Sequence, residues 1–163
     1  MDCPEAFAQD NSQDNTTTSI QFEEKQLRYI LTQIEQFTLV FPLTLVAEIP
    51  IIERSQILTM LFYSPAVMGV LHHAGRVVPL VSLRQILGIS TGFATERLTV
   101  VQLSAAAADR AGLGLVVDRT LGMRSHSQLP SDLFHGVQSN SAPNLQLFKP
   151  EILADRLWQP LRW

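Results

Sequence analysis

The sequence predicts an all-β fold, many short strands closed into barrels or a sandwich, and three observations carry that reading. From Leu27 onward the chain runs in short apolar stretches rich in β-branched residues, broken at close intervals by Pro, Gly or small polar clusters. Helix signals are too few and too brief for a doubly wound α/β fold. Hydrophobic residues make up 46% of the chain and charged residues only 17%, so the folded part must hide much apolar surface or present some of it to a partner. In 163 residues that material suffices for one sizeable core or two small fused ones.

Taken in order, residues 1–25 are dominated by Asp, Asn, Gln, Thr and Ser. They hold too little apolar material to offset the entropy of ordering, so a disordered tail is expected there, with the folded domain, in two lobes, spanning 26–163. Strands are expected over 27–34, over 37–49 with an interruption at Pro42, and over 69–73, 76–81, 98–103, 113–117 and 120–126. Between 81 and 89 a brief helix is signalled: Ser82 can cap it, Gln85 stands three residues later to complete a capping box, and Gly88 can end it. A second helix is expected from Pro150 to about Trp158, with proline at its first turn. Two stretches look like degenerate copies of one unit. Gly69-Val70 leads to Val78-Pro79-Leu80-Val81 and then Ile86-Leu87, while Gly136-Val137 leads to Leu145-Gln146-Leu147-Phe148 and then Ile152-Leu153. A hairpin followed by a short helix, occurring twice, suits two small barrels packed together.

Composition excludes several function classes. A net charge of −3 and no run of Lys and Arg give no long-range attraction to nucleic acid or anionic lipid. Cys3 is the single cysteine, so neither an intramolecular disulfide nor a thiolate metal cage is expected. Asp2 and Glu5 stand where a secretory signal would be basic, so a cytoplasmic protein is expected. Residues 55–75 carry no formal charge, but Ser64-Pro65 and His72-His73 interrupt them, against a membrane-spanning helix. His72 and His73 are adjacent, so in a strand they face opposite sides and cannot jointly grip a metal. There is no phosphate-binding glycine loop, no nucleophile elbow and no acid/base pair among Asp109, Asp118 and Asp132. Asp118 reads as a structural turn residue. No catalytic residue, metal site or cofactor is expected, which leaves a binding protein.

The run from Gly69-Val70 through Ala74-Gly75-Arg76 to Val78-Pro79-Leu80-Val81-Ser82-Leu83-Arg84 resembles the CheW family: a Gly-Val opening, a glycine turn, a Val-Pro strand and a helix start. Gly112-Leu113-Gly114-Leu115-Val116-Val117-Asp118 is similar to the same family's Gly-hydrophobic-Val-Asp strand, and Leu45-Val46-Ala47-Glu48-Ile49 to its early strand ending in Glu and Ile. The three occur in order, and the resemblance covers residues 27–157. It implies two small five-stranded SH3-like β-barrels around a shared hydrophobic core. It also implies a non-catalytic adaptor that binds the regulatory domain of a CheA-type histidine kinase and the cytoplasmic tip of a chemoreceptor, at membrane-associated receptor arrays. By position, Glu48 and Ile49 would lie near the receptor groove, with the turn Ala74-Gly75-Arg76 bordering it. Phe62 and Tyr63, in the uncharged stretch ahead of Ser64-Pro65, are candidate anchors for the kinase. Ala74 stands where the family usually has an arginine linked to receptor contact. Ser82 replaces the usual Asp at the helix start, and both residues cap well. The alternative from another class is a small β-barrel module that binds an apolar metabolite in a deep internal pocket.

Overall fold

The computed structural model of the chain describes residues 27–89, 94–135 and 143–162. The expected tail over 1–25 and the Gly136-Val137 pair of the second copy lie outside those residues. Within them the chain is all-β, as expected, and its strands form two sheets. Strands β1 (Arg28–Ile34) and β2 (Phe37–Pro42) form an antiparallel hairpin. Two short strands follow, β3 (Val46–Glu48) and β4 (Ile51–Glu53), then a hairpin of β5 (Val67–His73) and β6 (Arg76–Ser82). The helix α1 (Leu83–Ile86) leads to β7 (Arg97–Leu103), β8 (Gly114–Val117), β9 (Arg119–Ser125) and β10 (Leu145–Leu147). One sheet has the order β10-β2-β1-β9; the other is β3-β7-β8-β6-β5, with β4 also paired to β7.

Local chemistry explains most element ends. The Ser82 hydroxyl accepts the Gln85 amide at 3.5 Å and starts α1, and Gly88, at φ 75°, ends it. Pro42 stops β2 and opens a 3₁₀ turn, the interruption expected within 37–49, and β3 resumes after it. The helix expected after Pro150 does not form. Two 3₁₀ turns, Pro150–Ile152 and Asp155–Trp158, are separated by an extended Ala154 at ψ 145°. Leu153 and Leu157 are both buried in the main core. Burying them outweighs the helical spacing of the sequence, a case of tertiary packing overriding a local signal. Lys149 precedes the first of these turns and makes no side-chain cap bond, in keeping with its poor capping chemistry.

The core explains why so many strands read as near-continuous apolar runs. Successive residues of β6, β7 and β8 alternate between two hydrophobic clusters. Val81, Val101 and Leu115 join Ile30, Ile34, Leu39 and Phe41 of the other sheet in the larger one. Leu80, Val100 and Val116 build a smaller one with Ile52, Leu71, Val78 and Leu98. The centre of the second sheet is therefore buried on both faces, one face forming the cluster shared between the sheets. Phe41 stacks on Phe148 at 4.4 Å between centroids and ties β10's exit to that shared core.

One ion cluster joins the sheets. Strand β8 belongs to the second sheet and β9 to the first, and Asp118 alone separates them. Its amide donates to the Gln33 carbonyl at 3.0 Å, so the crossing point is fixed to the end of β1. Its carboxylate receives both arms of Arg84, Nε at 2.7 Å and Nη2 at 2.8 Å, and also the Glu35 amide at 2.8 Å. Arg84 Nη1 reaches Glu35 Oε1 at 2.7 Å. The bond to Asp118, opposed in part by burial, raises the Arg84 pKa above its ordinary value, so the cation is permanent. Glu35 occupies the β1–β2 turn at φ 53°, a conformation costly for a non-glycine residue that these contacts hold in place.

Two predictions follow from this packing. A Cβ at Gly114 would lie 2.6 Å from Leu80 Cδ2 and 2.8 Å from Val100 Cγ1, inside a core with no room to yield. Gly114→Val is expected to lose several kcal/mol or to fail to fold, and even Gly114→Ala about 1–3 kcal/mol; a wild-type melting temperature in Gly114→Val would refute the packing. Replacing Arg84 by Ala is expected to cost about 2 kcal/mol in denaturant unfolding. Lys, which keeps the charge but not the fork, should restore less than half of that. Full recovery by Lys would show that charge alone, rather than bidentate geometry, holds the crossing.

Candidate functional site

Strands β3 and β5 stand at opposite ends of the second sheet's order, yet a side chain of each reaches the other. His73 Nε2 of β5 lies 3.3 Å from Glu48 Oε1 of β3. Nearby, Leu58 exchanges backbone hydrogen bonds with Val70 at 2.9 Å, so the segment after β4 also reaches β5. This seam sets the end of β3 beside the tip of the β5–β6 hairpin. The tip is a two-residue turn, Ala74 at φ 48° and Gly75 at φ 76°, the pair of positive φ values that tight hairpins require. Glycine adopts this without strain; alanine at the first position costs about 1 kcal/mol, which the hairpin's register overrides.

The structure thus gathers Glu48, His73, Ala74, Gly75 and Arg76 at one end of the second sheet. Glu48, Ala74, Gly75 and Arg76 are all exposed, and Arg76 faces His73 across the hairpin. The Glu48–His73 contact is polar and half-exposed, an ion pair whenever His73 carries a proton. Ile49 behaves differently: it is half-buried and packs on the shared core, so it supports the seam from beneath. Val77, next on β6 and 66% exposed, adds apolar surface beside this charged end.

Phe62 and Tyr63 occupy another place. Tyr63 packs against the shared core, whereas Phe62 is 54% exposed and held at φ 70°. An exposed aromatic in a left-handed backbone is strain the fold could have avoided with a small residue, and such strain gathers at contact surfaces. The Phe62 carbonyl accepts the Leu161 amide at 2.6 Å, which pins the chain's last described residues to this loop. Leu58 and Leu61 are 71% and 69% exposed on the same segment. The loop is therefore an apolar surface joined to β5 through Leu58.

A trough of about 520 Å³ lies between α1, the Ser64-Pro65-Ala66 bend and the last two 3₁₀ turns. It is open to the surface, and Gln85, Arg156, Gln159 and Arg162 line it alongside Ile86 and Leu157. That mixed, open lining is unlike the deep apolar pocket a metabolite-binding barrel requires. Among the described residues no cluster of three or more His, Cys, Asp or Glu could hold a metal, and no helix is long and apolar enough to cross a membrane.

Sequence reasoning missed the ion cluster that positions these surfaces. The signal was present, since two of the three motif stretches end on Arg84 and Asp118, yet the pairing crosses 34 positions. Asp118 does play a structural part, but its amide partner is Glu35 rather than a near neighbour in sequence. The Glu48–His73 contact was missed for the same reason: both residues were read singly, as a strand end and an edge histidine.

Residues 28–145 match the family described as CheW-like domain. No curated protein matches the sequence. Among solved structures, the scaffolding protein TtCheW from Thermoanaerobacter tengcongensis is similar. The match has 14% sequence identity and a TM-score of 0.49, over 61% of this chain and 64% of that one, just short of two-thirds of its length.

Proposed function

The chain belongs to the CheW-like domain family, and from that premise we propose that it is a non-catalytic adaptor coupling methyl-accepting-type receptors to a CheA-type histidine kinase in chemotaxis-like signalling. The observation that carries the reading is the family match over residues 28–145, which includes, among the described residues, β1 to β9 and the first residue of β10. The arrangement of surfaces supports it. An adaptor needs two contact regions that can be occupied at once, and the chain offers the seam end with Glu48, Ala74, Gly75 and Arg76, and the apolar loop with Leu58, Leu61 and Phe62.

In this reading the seam end borders the receptor groove, with Ile49 behind it, and Phe62 anchors the kinase's regulatory domain while Tyr63 holds the loop on the core. An interface of standard size buries on the order of 800 Å² per partner, with a few aromatic or aliphatic anchors giving most of the affinity and the charges setting register. Signal passes because receptor and kinase, held on one rigid body, favour one of two kinase states through unequal contacts; the adaptor performs no chemistry. The working place is the cytoplasmic face of a receptor array.

Ala74 changes the receptor side. Where an arginine would reach outward from the turn, this chain has a methyl group, and the cation nearest Glu48 is His73 when protonated. The receptor contact is therefore carried by Glu48, Arg76 and the exposed Val77.

The test is calorimetric titration against the regulatory domain of a CheA-type kinase from the same genome, with an unrelated kinase domain as control. Saturable one-to-one binding is expected, and absence of binding to every such kinase would remove the adaptor reading. Glu48→Arg is expected to weaken binding to the receptor tip by about ten-fold or more, through like-charge placement at a contact rim. Its melting temperature should stay within a degree or two of wild type. Unchanged affinity would take Glu48 out of the interface.

A further inference from the structure

The trough beside α1 carries charge of one sign on walls that are fixed in place. One wall is the Ser64-Pro65-Ala66 bend together with Gln85 and Ile86 of α1, and the other is drawn from the stretch between Ile152 and Arg162. Three contacts hold that second wall. Leu157 is buried in the shared core, the Gln159 amide donates to the Arg156 carbonyl at 3.2 Å, and the Leu161 amide donates to the Phe62 carbonyl at 2.6 Å. The shape therefore exists before anything binds, which lowers the ordering cost that an occupant must offset.

Arg156 and Arg162 both line the trough, and no Asp or Glu does. Among the described residues neither arginine has a carboxylate within ion-pair distance. Asp155, adjacent to Arg156 in sequence, pairs with Arg110 instead. Gln85 and Gln159 add neutral amide groups to the same lining. The apolar part of the lining is uncovered as well: Leu161 is 58% exposed and Ile152 37%. In a protein whose net charge is −3, the trough thus sets two cations without acidic partners beside apolar side chains that have nothing over them.

We propose that this trough is a docking site for an acidic peptide segment of a partner protein, whose carboxylates meet Arg156 and Arg162 while its apolar side chains cover Leu161 and Ile152. Guanidinium forks suit carboxylates, which they can hold through two parallel hydrogen bonds. A small inorganic anion would satisfy the arginines and leave both apolar side chains bare. Nucleic acid and anionic membranes are poor occupants, because two cations on a chain of net charge −3 give no long-range attraction to either. The trough is open to the surface, and its volume of about 520 Å³ admits a few side chains of a peptide lying across it. The inference stands apart from the adaptor reading, although the bond between Leu161 and Phe62 sets the trough next to the 58–62 loop.

Fluorescence polarisation on the full chain tests this, with a labelled synthetic peptide of Asp-Leu-Glu repeats as the probe and its Asn-Leu-Gln counterpart as the uncharged control. Saturable binding of the acidic peptide is expected, about ten-fold tighter or more than that of the control, and weakened by added salt. Arg156→Ala with Arg162→Ala should remove about ten-fold or more of that affinity while the melting temperature stays within about two degrees of wild type, since both side chains are exposed. Leu161→Ser should weaken the peptide as well. Absence of saturable binding overturns the proposal, and so does wild-type affinity in the double arginine variant. Equal affinity for the Asn-Leu-Gln peptide also overturns it, leaving an apolar groove that does not read charge. Displacement of the probe by an equal concentration of inorganic tripolyphosphate overturns it too, and assigns the arginines to a phosphate ligand.

Discussion

A chain that runs from one sheet into another within a single residue must be held at that residue, or the two sheets can slide apart. Asp118 is that residue, and Arg84 is what holds it. The fork of the guanidinium fixes the carboxylate in direction as well as in distance. Glu35 then closes the cluster from the β1–β2 turn through both its amide and its carboxylate. Three segments far apart in sequence, the first hairpin, the start of α1 and the β8–β9 crossing, are joined by one half-buried set of charges. Isolated surface ion pairs contribute little. This cluster differs because it is bidentate, partly desolvated and backed by backbone hydrogen bonds.

The second sheet follows from that constraint. Once β8 is fixed beside β6 and β7, both of its faces are covered: one by the shared core, the other by the cluster around Leu80, Val100 and Val116. A sheet whose centre is buried on both faces has little of that centre left to offer a partner. Contact surfaces must then lie at its ends, at its edges and on the loops that run past it. The seam end at Glu48 and the 58–62 loop are exposed places of that kind. Close packing also explains the intolerance expected at Gly114, where a single carbon would meet two core side chains.

The two principal surfaces differ in character. The seam end is polar and carries its own internal contact between Glu48 and His73. The loop is apolar, with Leu58, Leu61 and Phe62 presented outward on a backbone strained at Phe62. A polar end gives register and steering, and an apolar loop gives affinity. Having both on one body is what the proposed adaptor role requires.

The sequence alone determined the all-β class, six of the long strands, the two-residue turn at Ala74-Gly75 and the start and end of α1. Each of these rests on local physics: the period-two alternation of strands, the positive φ that a tight turn demands, and a serine hydroxyl within reach of an amide three residues on. It also marked the surroundings of the candidate surfaces through the motif stretches. Only the tertiary structure decided the rest. It sent the strands on either side of Asp118 into different sheets and broke the region after Pro150 into two 3₁₀ turns around buried Leu153 and Leu157. It brought Glu48 to His73 and Arg84 to Asp118, and set Arg156 and Arg162 in one trough beside α1. These outcomes depend on which distant groups share a desolvated space, and no window along the chain contains both partners.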